Sequence, residues 1–177
     1  MSRNLSYGDR LYAVKEHQAS SYHWDLRLHL FGQTLLSFVL REAPHLSPSR
    51  PLKALRVGDH KLEYLFSERI IPLGWPGAGP TALWEKGVFS VVGEPGMALQ
   101  LSRGHLKIDL KGGRLQGVFS LKWAGPGEND WLWIKEQDSF ADPLVRFPNV
   151  LTPEKIRELE RKPQVPKNHD LMELFVD

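Results

Sequence analysis

Tyr22-His23-Trp24-Asp25-Leu26-Arg27-Leu28-His29-Leu30 is the stretch that decides the fold class of this chain. Tyr22, Trp24, Leu26, Leu28 and Leu30 are large and apolar, and the residues between them, His23, Asp25, Arg27 and His29, are ionisable. Strict alternation over this length specifies a β-strand, because successive side chains leave a strand on opposite faces. One face therefore belongs to a core. The other carries imidazoles, a carboxylate and a guanidinium in a row. An ordinary wet strand face is built mostly from Lys, Glu, Thr and Ser. Nitrogen and oxygen ligands beside a fork of N–H donors suit a metal ion and a phosphate.

The preceding residues extend this reading. Tyr12-Ala13-Val14-Lys15-Glu16-His17 reads as a strand ending in His17, and Gln18-Ala19-Ser20-Ser21 is small and polar enough to turn the chain back. The hairpin brings His17 towards His23 and Asp25. The resulting His-x5-His-x-Asp spacing offers two imidazoles and one carboxylate, a set that suits Mn, Fe or Zn with positions left open for water and substrate.

Short strand-like runs follow, separated by turn signals. Thr34–Leu40 is apolar enough for a central strand, and Leu52–Val57 reads as another, followed by a bend at Gly58-Asp59-His60. Pro72 to Pro80 is a Gly/Pro loop. Further strands are expected at Ala82–Val92, Ala98–Leu101, His105–Leu110, Leu115–Trp123 and Trp131–Lys135, with a hairpin at Lys111-Gly112-Gly113-Arg114. Many short strands without a long amphipathic helix specify an all-β fold, a small closed or nearly closed barrel. Thr152-Pro153-Glu154 starts a short helix that Pro163 and Pro166 end. Residues 1–141 are expected to form the barrel, and 142–177 a C-terminal appendage. Trp84, Trp131 and Trp133 are assigned to the core, while His45, His105 and His169 carry no pattern.

Composition narrows the function classes. The chain has 177 residues, no cysteine and a net charge of +2. Thiol catalysis and thiolate metal sites are excluded, so a metal must be held by nitrogen and oxygen. The mildly basic balance permits a nucleic-acid partner. No apolar run is long enough to span a membrane, and Met1-Ser2-Arg3-Asn4 leads into no export signal. A cytoplasmic monomer with no membrane association is expected.

The run His17-Gln18-Ala19-Ser20-Ser21-Tyr22-His23-Trp24-Asp25-Leu26-Arg27-Leu28 resembles the first motif of the 3′-phosphoesterase domain of bacterial and archaeal DNA ligase D, His-x-Ala-x3-His-aromatic-Asp-x-Arg-Leu. Asp59-His60-x-Leu62-x-Tyr64 resembles its second motif. Weaker echoes follow in order at Ile71-Pro72, Gly77-Ala78-Gly79, Trp84-Glu85-Lys86-Gly87 and Trp131-Leu132-Trp133-Ile134-Lys135. The resemblance implies a small β-barrel that trims DNA or RNA 3′ ends during end joining, removing a terminal ribonucleoside and then the 3′-phosphate. It implies a divalent metal, Mn first and Zn or Co as substitutes, held by His17, His23 and Asp25. Arg27 and His60 would be the catalytic, phosphate-holding pair, with Tyr64 beside them on the substrate. Nucleic-acid 3′ ends are the implied partner, with a separate ligase or polymerase to complete the repair.

This chain also departs from the family pattern. Arg41-Glu42 stands where Pro-Lys is usual, Leu52 where Arg is usual, Gly58 where an acid precedes Asp-His, and Lys15 where Gln is common. These changes leave a second reading, a non-catalytic module that binds nucleic-acid ends. A third, a non-haem iron oxygenase, draws on the same two-His, one-carboxylate set. Arg27 beside the ligands and the upstream position of the second His weigh against it.

Overall fold

The computed structural model describes residues 8–163. Pro166, His169 and the rest of 164–177 lie outside the described residues. The strands are β1 (Arg10–Gln18), β2 (Tyr22–Phe31), β3 (Thr34–Leu40), β4 (Leu52–Lys61), β5 (Arg69–Ile71), β6 (Gly79–Val91), β7 (His105–Gly112), β8 (Gln116–Trp123) and β9 (Asp130–Lys135). Among the described residues there are two short helices, α1 (Met97–Ser102) and α2 (Pro153–Glu160), with one 3-10 turn at Leu62–Tyr64.

All strand pairings are antiparallel, and the hydrogen-bonded order is β1-β2-β3-β4-β9-β8-β7-β6, closed by pairing of β1 with β6. This is an eight-stranded barrel. The short β5 lies outside the ring, against the N-terminal end of β6, while the C-terminal part of β6 pairs with β7. An eight-stranded barrel has an interior just wide enough for side chains to fill. Tyr12, Val14, Leu26, Leu28, Phe38, Phe89, Phe119 and Trp133 fill it, each 2% exposed or less. Trp24, Trp84 and Trp131 join the same core. Tyr22 differs from the expectation for its face: at the barrel rim it stays 36% exposed and donates its hydroxyl hydrogen to Glu16.

The filled interior forces the ionisable row outward. In β1 and β2 the pairs Ala13–Arg27, Lys15–Asp25 and His17–His23 share the outer face. That face is covered by the segment after β4. Leu65, with Leu62 beside it, packs on Ala13, Leu35, Leu11 and Leu83 of the outer wall. The 3-10 turn, β5 and the Gly/Pro loop after it thus form a flap over part of the barrel wall.

Three local expectations are corrected. The bend at Gly58-Asp59-His60 is part of β4: the strand continues to Lys61, and a register shift opposite Leu35–Ser37 absorbs the extra residue. The strand expected at Ala98–Leu101 is helix α1. Met97, Ala98, Leu99, Gln100 and Leu101 all favour helix and none is β-branched. Gln100 then ties the turn down by donating to Val92 O and Pro95 O and accepting from Lys107 N. Strand β5 went unread because three residues give no periodicity. Helix α2 begins as expected, with Thr152 Oγ1 accepting from Lys155 N and Pro153 in the first turn. Its Leu159 packs with Leu151 on Ala82 of β6.

Buried Glu85 holds the turn between β7 and β8. Its carboxylate accepts from the backbone N–H of Gly113, Arg114 and Leu115. Replacing it by Ala orphans these donors together. Glu85→Ala should lose about 2–4 kcal/mol of stability in urea titration with an unchanged m-value. A loss near zero would show that water replaces the carboxylate freely.

Candidate active site

The outer-face row meets the flap in a cavity of about 250 Å³. His17, His23, Asp25, Arg27, His60 and Tyr64, the residues singled out by motif, all line it. The strand pairing explains the convergence. His17 and His23 are directly opposite one another, and Asp25 lies two residues along the same face. One ligand atom from each of His17, His23 and Asp25 falls within 4.8 Å of the others, so the three could hold one metal ion.

The hydrogen bonds fix which atoms face the centre. His23 Nδ1 lies 3.0 Å from Ser21 O, and His17 Nε2 lies 2.7 Å from Gly77 O. A carbonyl only accepts, so each of these nitrogens carries the proton. The remaining nitrogens, His23 Nε2 and His17 Nδ1, are directed at the carboxylate of Asp25, 3.6 Å from Oδ1 and 3.1 Å from Oδ2. Donation of the outer ring N–H to a backbone carbonyl is the usual way a metal-binding histidine is oriented. Two lone pairs 3.1 Å apart, one on an imidazole and one on a carboxylate, need a cation between them, a proton or a metal ion. The donor set thus fits the group that the motif implies.

Gly77 makes this possible. Its φ is +71°, and a Cβ there would sit 3.3 Å from His17 Cε1. Gly79 is tighter still, because a Cβ would lie 2.0 Å from Gln18 O. The Gly-Ala-Gly echo in the sequence is therefore a close approach of the loop backbone to the tip of the first hairpin.

Asp25 also meets Arg27, whose Nη2 is 3.3 Å from Oδ1. Burial alone would push the Asp25 carboxyl up, but Arg27, His17 and His23 together outweigh it and hold it well below the usual carboxylate range. Arg27 is 8% exposed, and its other terminal nitrogen, Nη1, is buried without a hydrogen-bond partner. His60 Nδ1 lies 2.9 Å from Gly58 O and 3.0 Å from Ser37 Oγ. The carbonyl takes the Nδ1 proton, which leaves a lone pair on Nε2. Burial, and then the Arg27 charge, lower the His60 pKa to about 4.

Other residues at the site escaped the motif reading. Lys15, opposite Asp25, is 7% exposed and donates to Tyr64 O and Ser67 Oγ, tying the flap to the barrel. Burial, then Arg27, lower its pKa to about 7. Its place two residues before His17 put it on the site face, a signal the alternation already contained. Arg69 and Thr81 also line the cavity. Tyr64 stands under the Arg69 guanidinium, 5.0 Å from ring centroid to Cζ. His29 donates to or accepts from nothing in the cavity; its Nε2 bonds Gly32 O in the turn after β2.

The departures from the family pattern fall mostly outside the cavity. Glu42 is exposed and absent from its lining. Leu52 points into the core at 1% exposure, and Lys53 is its outward neighbour. Gly58 contributes the carbonyl that orients His60.

The half-buried neutral imidazole of His60 makes folding pH-dependent. The folded protein keeps His60 neutral where a free imidazole near 6.5 already binds a proton. Between about pH 6.5 and 4 the unfolded chain binds the extra proton, so stability falls as pH drops through that window and is insensitive to this group above it. Denaturant titration of metal-free protein at pH 7 and 4.5 should show wild type losing about 2–3 kcal/mol more than His60→Gln. Parallel losses would place the imidazole in water.

A family model described as the DNA ligase D 3′-phosphoesterase domain matches residues 15–122. "Multifunctional non-homologous end joining protein LigD" of Pseudomonas aeruginosa is 35% identical over 147 residues, which cover 82% of this chain and 17% of that protein. "Multifunctional non-homologous end joining DNA repair protein LigD" of Mycobacterium tuberculosis is 30% identical over 113 residues, 62% of this chain and 14% of that protein. The Mycolicibacterium smegmatis relative is 30% identical over 114 residues and is matched over 15% of its length. The chain thus spans a small fraction of the length of these relatives. On the family match, the ordered motifs and the barrel that carries them, the chain belongs to the DNA ligase D 3′-phosphoesterase domain family.

Proposed function

We propose that this protein is a metal-dependent phosphoesterase that removes the 3′-phosphate from nucleic-acid 3′ ends during end joining, after first removing a terminal ribonucleoside where one is present. One observation carries the reading. A three-donor cluster lies beside Arg27, a buried guanidinium with one nitrogen unpaired. A buried N–H without a partner costs about 1–3 kcal/mol, and an anion entering the cavity relieves that cost. Family membership and the names of the relatives point to the same chemistry.

The residues divide the work. His17, His23 and Asp25 would hold a divalent ion, which supplies Lewis-acid stabilisation of phosphoryl charge and an acidified water. Arg27 offers a planar fork to two non-bridging oxygens, and its hold on Asp25 fixes its direction. His60 enters with a lone pair on Nε2, so its first act is to accept a proton, from the attacking water or from a phosphate monoanion. Once protonated beside the bound phosphate it becomes a donor to the departing 3′ oxygen. The P–O3′ bond breaks, water supplies the new P–O bond, and the 3′ oxygen leaves as a hydroxyl. The flap, anchored by Lys15, leaves Lys15, His17, Asp25 and Arg27 less than one-tenth exposed and so strengthens each of these interactions.

Nothing in this arrangement needs Glu42 or Leu52. The non-catalytic reading rested on Glu42, Leu52 and Gly58; the first two lie outside the cavity, and Gly58 supplies the carbonyl that orients His60. Among the described residues no helix is long and apolar enough to cross a membrane.

The reading is checked by phosphate release from a 3′-phosphorylated oligonucleotide with and without Mn. Wild type should release phosphate only with the metal. Arg27→Lys should keep metal affinity yet lose most activity, since an ammonium cannot reproduce the fork. His60→Ala should lose about 10²–10³ in rate with metal affinity intact. His23→Ala should abolish the calorimetric signal for Mn. Absence of release by wild type with any divalent ion, alongside retained binding of the oligonucleotide, would establish an end-binding module instead.

A further inference from the structure

The cavity is larger in charge than one terminal phosphate requires. Asp25 is the one carboxylate among its described lining residues, against Lys15, Arg27 and Arg69. Lys15 is committed to Tyr64 O and Ser67 Oγ. Arg27 is paired with Asp25 on one side and open on the other. Arg69 has no ion-pair partner among the described residues; its guanidinium is steadied by the face of Tyr64. Next to it is a second orphan. Thr81 is 4% exposed, lines the same cavity, and its buried hydroxyl has no hydrogen-bond partner.

The strand register places these groups on one row. Arg69 pairs with Thr81 across β5 and β6, and Thr81 pairs with His17 across β6 and β1. Arg69 therefore stands two strand spacings, about 10 Å, beyond His17 at the backbone. Arg27 lies in the other direction, beyond Asp25 on β2. The three-donor cluster is flanked by a polar group awaiting a partner on each side: Arg27 Nη1 on one, Thr81 Oγ1 with the Arg69 guanidinium on the other.

We propose that Arg69 and Thr81 form a second phosphate subsite, which takes the internal phosphodiester adjoining the terminal 3′-phosphate, so that the site selects oligonucleotide ends over nucleoside 3′-monophosphates. The proposal rests on the phosphoesterase reading for the identity of the terminal group. Arg69 supplies the charge and a fork of donors, and Thr81 supplies a hydroxyl hydrogen that already lacks an acceptor. Tyr64, whose carbonyl accepts from Lys15 and whose ring lies under the Arg69 guanidinium, sets the guanidinium's position.

Equilibrium binding to metal-free protein tests this without turnover. The probes are a nucleoside 3′-monophosphate, a 3′-phosphorylated dinucleotide, and the same dinucleotide with a neutral methylphosphonate at its internal linkage. Wild type should bind the dinucleotide about 10-fold more tightly than the methylphosphonate analogue, and Arg69→Ala should weaken the dinucleotide by a similar factor while leaving the mononucleotide unchanged. Arg69→Ala should not distinguish dinucleotide from analogue. Thr81→Val should lose about 3-fold on the dinucleotide alone. Equal affinity of wild type for dinucleotide and analogue would overturn the subsite, and this comparison needs no variant to fold. Equal losses on mononucleotide and dinucleotide would place Arg69 at the terminal phosphate and overturn it too. Mn-dependent phosphate release by wild type is scored separately, so a catalytically silent protein that still discriminates the probes would reject the reaction and keep the subsite.

Discussion

The Asp25 carboxylate is the group on which the rest of this site depends. It is 6% exposed, and burial of a carboxylate is costly unless it is paired. Three groups supply the pairing: His17 at Oδ2, and His23 and Arg27 at Oδ1. The two imidazoles are in turn held from behind. His17 reaches Gly77 O, and His23 reaches Ser21 O. Two imidazole nitrogens and one guanidinium thus converge on a single carboxylate, and the backbone carbonyls behind the imidazoles fix their direction.

Low exposure of the charged row is a product of the fold. An eight-stranded barrel fills with its own side chains, so chemistry must be mounted on the outer wall or at the rims. An outer wall is normally wet. Here the segment after β4 folds back over it, fixed by Leu65 and Leu62 on an apolar spot and by Lys15 on the Tyr64 carbonyl and Ser67 hydroxyl. Lys15, His17, Asp25 and Arg27 are all below one-tenth exposed as a result. The same flap brings Tyr64, Arg69 and Gly77 into the cavity, so covering the site and completing it are one event.

The three-donor cluster was legible because it is local. Period-2 alternation sets His23, Asp25 and Arg27 on one face, and a short polar turn returns His17 to them. Sheet geometry leaves no alternative once the hairpin forms. Lys15 followed from the same rule. His60 was legible only through the family motif, since it arrives across β3 by a register shift that no pattern in Gly58-Asp59-His60 announces. Helix α1 was misread because apolar runs of six residues serve strand and helix alike.

The sequence by itself determined the barrel, the strand that carries His23, Asp25 and Arg27, and the face these residues share, because these follow from side-chain periodicity and short-range turns. The tertiary structure alone decided that this face would be buried, that His60 would be a neutral acceptor, and that Arg69 and Thr81 would share the cavity. Arg69 is brought to His17 by pairing of two strands distant in the chain, β5 with β6 and β6 with β1. Which strands pair at long range depends on closure of the whole barrel and on the packing of its filled interior. No window of local sequence contains that information.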